Sequence, residues 1–112
     1  MSRARGRDAE DRAAEFLLSI GYTLVTRRYA VRGGEIDLVA LDGDELVFVE
    51  VRARKGRSAG PENSLSAEKA EHLQLAAEKF RREFGETGRP FRFDLVAIDG
   101  EGLRHHVRLS RD

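Results

Sequence analysis

The chain has 112 residues, 40% of them hydrophobic, which suits one domain with a modest core. It has no cysteine, which excludes disulfides and thiolate metal sites, and no run approaches the ~20 apolar residues that a membrane span needs. Twenty basic and twenty acidic residues cancel, so net charge says nothing about partners and the local distribution has to be read instead.

Residues 1–11, MSRARGRDAED, lack the apolar stretch of a secretory signal, and with the absence of cysteine this fits a cytoplasmic protein. Residues 7–20 place Ala9, Ala13, Phe16, Leu17 and Ile20 at helical spacing, and Gly21 suits a helix C-terminus. A strand is expected over 22–29, then a Gly33-Gly34 turn, a strand over 35–41, a tight Asp42-Gly43-Asp44 turn and a strand over 45–53. These three strands read as an antiparallel meander. Residues 55–65 are rich in Gly, Ser and Pro and read as a mobile loop. A second helix over 66–84 carries Leu73, Ala76, Ala77, Phe80 and Phe84 on one face and is closed by Gly85 and Gly88. Further strands are expected at 91–98 and 103–109. The order αβββαββ predicts a single α/β domain with a central mixed sheet flanked by helices.

Basic residues gather at Arg3, Arg5 and Arg7, at Arg27, Arg28 and Arg32, and at Arg52, Arg54, Lys55 and Arg57. Such segregation can give a neutral protein a basic face, although solvated surface is the ordinary fate of a charge run.

Two acids stand out because their neighbours are apolar. Asp37 lies among Ile36, Leu38 and Val39, and Glu50 among Phe48, Val49 and Val51. A buried ionised carboxylate is costly without a partner. Strand alternation puts Leu46, Phe48, Glu50 and Arg52 on one face and Val47, Val49 and Val51 on the other, and the turn folds Asp37 back beside them. Two carboxylates brought together repel unless a cation lies between them, and hard divalent cations such as Mg²⁺ prefer oxygen ligands. The competing reading is a buried ion pair of either acid with Arg52. Asp94, between Phe93 and Leu95, reads as structural, with Arg92 as its partner. His105 and His106 point to opposite faces of a strand and His72 stands alone, so a histidine metal site is not expected. No glycine-rich phosphate loop, nucleophile elbow or zinc spacing occurs.

Asp37 followed by Glu50-Val51-Arg52 resembles the D…(D/E)XK signature of the restriction-endonuclease-like superfamily. Glu10 lies where an acid on the preceding helix completes that pattern in archaeal Holliday-junction resolvases. The segments AExxAAxFLxxxGYxLVxRxY, GEIDLVAxDxxxLVFVEVRxR and RFDLVAI, with Lys69 between the last two, more closely resemble the YraN-like family of predicted endonucleases. The resemblance runs from about residue 6 to residue 98 and implies a restriction-endonuclease-like single domain with that core.

The superfamily implies hydrolysis of DNA phosphodiester bonds with a divalent metal, and the kinship with junction resolvases makes branched or junction DNA an expected substrate. Asp37 and Glu50 would hold Mg²⁺ (or Mn²⁺) together with the Val51 carbonyl, and Glu10 would bind or orient a metal water. Arg52 departs from the pattern, which has Lys. Arginine stays protonated and cannot serve as a base, but its fork can hold a phosphate oxygen. Glu10, Asp37, Glu50 and Arg52 thus form the expected catalytic set. Arg52, Arg54, Lys55 and Lys69 are the expected nucleic-acid contacts, Lys69 also lying near a helix N-terminus. A homodimer would suit a two-fold branched substrate. Two other readings stay open: a non-catalytic nucleic-acid-binding module with a degenerate nuclease site, and a protein-interaction domain whose acids merely pair with arginines.

Overall fold

The first helix, α1 (Ser2–Ser19), stops where the sequence supplies a residue that tolerates left-handed backbone. Gly21 takes φ +95°, its N–H donates to Leu18 O and that of Tyr22 donates to Leu17 O, both at 3.0 Å. These paired bonds satisfy carbonyls that a helix end leaves open. The computed structural model describes residues 2–54 and 66–109, with side chains from residue 8 onward. The helix begins before the expected residue 7, and the Lys55 position and the loop over 55–65 lie outside the described residues.

The expected meander follows as β1 (Thr23–Val31), β2 (Gly34–Asp42) and β3 (Glu45–Ala53), antiparallel throughout. Gly43, at φ +62°, lets a two-residue turn pair Asp42 with Glu45. Helix α2 (Ala67–Glu83) starts at Ser66, whose Oγ accepts the N–H of Lys69 at 3.1 Å. Because α2 separates them, β3 and β4 (Phe91–Asp99) pair in parallel, and β5 (Gly102–His106) closes the sheet antiparallel to β4. The sheet order is β1-β2-β3-β4-β5.

Each sheet face carries one helix. Ala9, Ala13, Ala14 and Leu17 of α1 pack on Leu38, Val47, Val49, Val96 and Ile98. Leu73, Ala76, Ala77 and Phe80 of α2 pack on Ile36, Val39, Leu46 and Phe48. β3 therefore alternates between two cores, which explains its unbroken apolar run. Ile20 and Phe84, both expected on the buried stripes, are 45% and 55% exposed because each lies just past the end of its helix. α2 lies so close to β2 that a Cβ on Gly34 would sit 2.4 Å from the His72 carbonyl oxygen. The last strand ends earlier than expected. Arg108 takes φ +59° and its N–H donates to Asp94 Oδ1 at 2.9 Å, which draws the chain out of strand geometry.

Candidate metal centre

The backbone pairing of β2 with β3 runs from Asp42–Glu45 to Leu38–Val49 and then stops. One step further, the register sets Asp37 opposite Glu50. β2 breaks its alternation here: Ile36 joins the α2 core while Leu38, two residues on, joins the α1 core. Where a backbone acceptor is missing, Asp37 Oδ2 accepts the Val51 N–H at 2.7 Å. The group of Val51 in contact with Asp37 is thus its amide.

Glu50 is 3% exposed and shares the α2 face with Leu46 and Phe48. Its Oε2 lies 3.6 Å from Arg52 Nε and 3.6 Å from Lys69 Nζ. Its Oε1 is buried with no hydrogen-bond partner among the described residues. Burial pushes the Glu50 carboxyl up to about 8, and Asp37 adds to this through its charge and a carboxyl–carboxylate hydrogen bond, against the opposing pull of Lys69 and Arg52. Asp37 is also raised, first by burial, and the charges of Glu10 and Glu35 act in the same sense while the Val51 amide opposes them. The pair resists carrying two negative charges. With Glu50 raised to about 8, a shared proton relieves the metal-free pair through neutral pH, and a divalent cation would take that proton's place.

The donor set fits a hard cation: two carboxylates, one oxygen of which lacks any donor. Among the described residues no group of three or more acidic, imidazole or thiol side chains gathers at one point. A Mg²⁺ ion commonly keeps several waters, so two carboxylates are a usual protein contribution for it.

Glu10 is engaged by two arginines of β1 while its charge still reaches Asp37. Its Oε1 accepts from Arg28 Nε at 2.7 Å and lies 3.9 Å from Arg27. Arg28 reaches it from left-handed backbone at φ 55°. Arg54 lines a cavity of about 700 Å³ between α1 and the ends of β3 and β4, with Asp8, Asp11, Arg12 and Asp99.

Lys69 is a cation on a buried stripe. It lies four residues before Leu73, so the helix turns it to the sheet face beside Glu50. That signal was present in the sequence, as a lysine extending the row Leu73–Ala76–Ala77–Phe80 backward by one turn.

A separate ionic cluster braces the sheet. Arg92 grips Asp94 with Nε at 2.9 Å and a second nitrogen at 3.2 Å, the partner that a buried carboxylate was expected to need. The same guanidinium donates to Glu45 at 2.7 Å, Asp42 at 3.1 Å and the Tyr22 hydroxyl at 2.7 Å, and His105 Nε2 lies 2.8 Å from Asp94. Burial works to raise the Asp94 carboxyl, but these donors outweigh it and hold it low. The remote members could not be read from spacing, since they come from the turn before β1 and from β2, β3 and β5.

The fold and site define a class: a small α/β domain with a carboxylate pair buried where two neighbouring strands stop pairing. The family model described as "Uncharacterised protein family UPF0102" matches residues 9–98. The chain belongs to this family, which is the YraN-like family that its motifs resemble. It is 43% identical over 114 residues to UPF0102 protein STH1475 of Symbiobacterium thermophilum, covering 100% of this chain and 97% of that protein. It is 48% identical over 101 residues to a UPF0102 protein of Dechloromonas aromatica (89% and 82%), and 44% identical over 111 to UPF0102 protein PA4424 of Pseudomonas aeruginosa (97% and 89%). No helix among the described residues is long and apolar enough to cross a membrane.

Proposed function

We propose that this protein is a divalent-metal-dependent endonuclease that hydrolyses DNA phosphodiester bonds at the Asp37–Glu50 pair, with branched and junction DNA the first substrates to assay. The observation that carries this reading is the unpartnered, buried Oε1 of Glu50 beside a second raised carboxylate. A fully structural acid would have been given a donor at that oxygen. Asp37 and Glu50 would hold Mg²⁺ or Mn²⁺. When bound, such a cation acidifies a water and offsets charge on the phosphate under attack.

The chain's own residues supply the rest. The Val51 amide fixes the Asp37 carboxylate in place. Buried strands on both sides of the pair limit solvent and strengthen every charge interaction there. Arg52, 3.6 Å from Glu50, can hold a phosphate oxygen through its fork but cannot accept a proton from water.

The second reading, a nucleic-acid-binding module with a degenerate site, is favoured by one observation, the arginine at position 52. A cleavage assay across duplex, flap and four-way DNA with Mg²⁺ or Mn²⁺ separates the two. The nuclease reading expects metal-dependent cleavage that drops about 100-fold or more in Glu50→Ala. The binding reading expects no cleavage, and salt-sensitive binding that Glu50→Ala leaves unchanged.

A further inference from the structure

We infer that Lys69 of α2 is the cation that contacts the reacting phosphate at the Asp37–Glu50 pair, the position that Arg52 would otherwise fill from β3. This deepens the nuclease reading and rests on it. Lys69 Nζ stands 3.6 Å from Glu50 Oε2, too far for a hydrogen bond. Its three donors are therefore not spent on that carboxylate, and the ammonium is held nearby by charge. Arg52 Nε is equally near, so distance does not choose between them. The way each is held does. Arg52, its backbone held in the β3–β4 ladder, has a further interaction besides its approach to Glu50, whereas the Lys69 ammonium approaches Glu50 alone among the described residues, on a backbone fixed at three points. Its N–H donates to the Ser66 cap at 3.1 Å. His72, three residues on, has its carbonyl pressed against Gly34 of β2. Leu73, four residues on, is buried in the core on the same helix face. β2 thereby delivers both Asp37 and, through Gly34, the seat of the helix that carries Lys69.

An ammonium at this place beside a metal pair has a distinct thermodynamic sign. It should repel a divalent cation while attracting a phosphate, so the two properties move in opposite directions when it is removed.

The test compares wild type, Lys69→Met, Lys69→Arg and Arg52→Met in three measurements: cleavage of a four-way DNA junction with Mn²⁺, calorimetric Mn²⁺ affinity, and the salt dependence of junction binding without metal. Lys69→Met should cut cleavage about 100-fold, more than Arg52→Met, while Mn²⁺ affinity stays the same or tightens. Its binding should lose about 0.9 from the slope of log affinity against log salt, and Lys69→Arg should restore that slope. A cleavage loss smaller than about tenfold in Lys69→Met, or a tenfold weaker Mn²⁺ affinity, would overturn the inference. If wild type cleaves nothing with any metal, the nuclease reading alone fails. The salt slope then decides for Lys69, an unchanged slope in Lys69→Met counting against it.

Discussion

The amide of Val51 donates to Asp37 Oδ2 at 2.7 Å, so a side-chain carboxylate takes over from the backbone just where β2 and β3 stop pairing. The bond ties the geometry of the acid pair to the sheet itself. It also separates two substitutions that look alike. Asp37→Asn keeps an acceptor for the Val51 N–H and removes the charge that Glu50 resists. Asp37→Ala leaves a partly buried donor unmet, at a cost of about 1–3 kcal/mol. Urea denaturation at pH 7 should rank Asp37→Asn at or above wild type and Asp37→Ala below Asp37→Asn. The reverse order would mean that the amide bond is unimportant.

Stability of the metal-free protein should depend on pH through Glu50. Its folded carboxyl is raised from 4.5 to about 8. Between those values the folded state holds a proton that the unfolded chain has released, so the Glu50 contribution to stability is fully present below about 4.5 and falls as pH rises towards 8. The slope from this one group is at most about 1.4 kcal/mol per pH unit. Glu50→Gln should flatten it. A wild-type stability that rises steadily from pH 5 to 8 would contradict the raised carboxyl.

Divalent metal should offset that loss. If the pair binds Mn²⁺ in the folded state alone, metal at a hundred times its dissociation constant adds about 2.7 kcal/mol. Thermal unfolding at pH 7.5 should therefore shift upward and saturate with Mn²⁺ in wild type, and shift little in Glu50→Gln. An equal shift in both proteins would place the metal elsewhere.

Gly34→Ala tests the seat of α2. Its new Cβ would meet the His72 carbonyl oxygen at 2.4 Å, and backbone cannot swing aside as a side chain can. Overpacking of this kind costs about 1–3 kcal/mol. Denaturation measures that cost. A calorimetric Mn²⁺ titration should show an affinity that holds or tightens, because the backbone of the Asp37–Glu50 pair lies in the sheet while a displaced α2 carries the Lys69 charge away from Glu50.

The Arg92 cluster predicts a strong asymmetry between single and double replacement. Asp94 is 0% exposed, and Arg92→Leu would remove its two-point partner and leave it the Arg108 amide and His105, costing about 3 kcal/mol. Arg92→Leu combined with Asp94→Leu should be less destabilised than Arg92→Leu alone. A double variant destabilised by the sum of the two singles would show that the residues do not act as a pair.

The sequence by itself determined the acid pair. The two-residue Gly43-Asp44 turn sets Asp42 against Glu45, and strand pairing then carries the register along to Asp37 and Glu50 without help from distant residues. The helix stripes, the glycine caps and the Arg92–Asp94 pair were legible for the same reason, since each depends on spacing within one element or across one turn. Which charges would meet the pair was decided by the tertiary structure, although the helix spacing of Lys69 before Leu73 already put that lysine on the sheet-facing stripe. Glu10 is drawn to Arg28 by an unusual backbone angle on β1 that no pattern announces. Lys69 comes to Glu50 because a glycine on β2 lets α2 settle against the sheet. A charge follows the nearest low-energy partner, and that partner is fixed by how separate elements dock, which spacing along one chain does not encode.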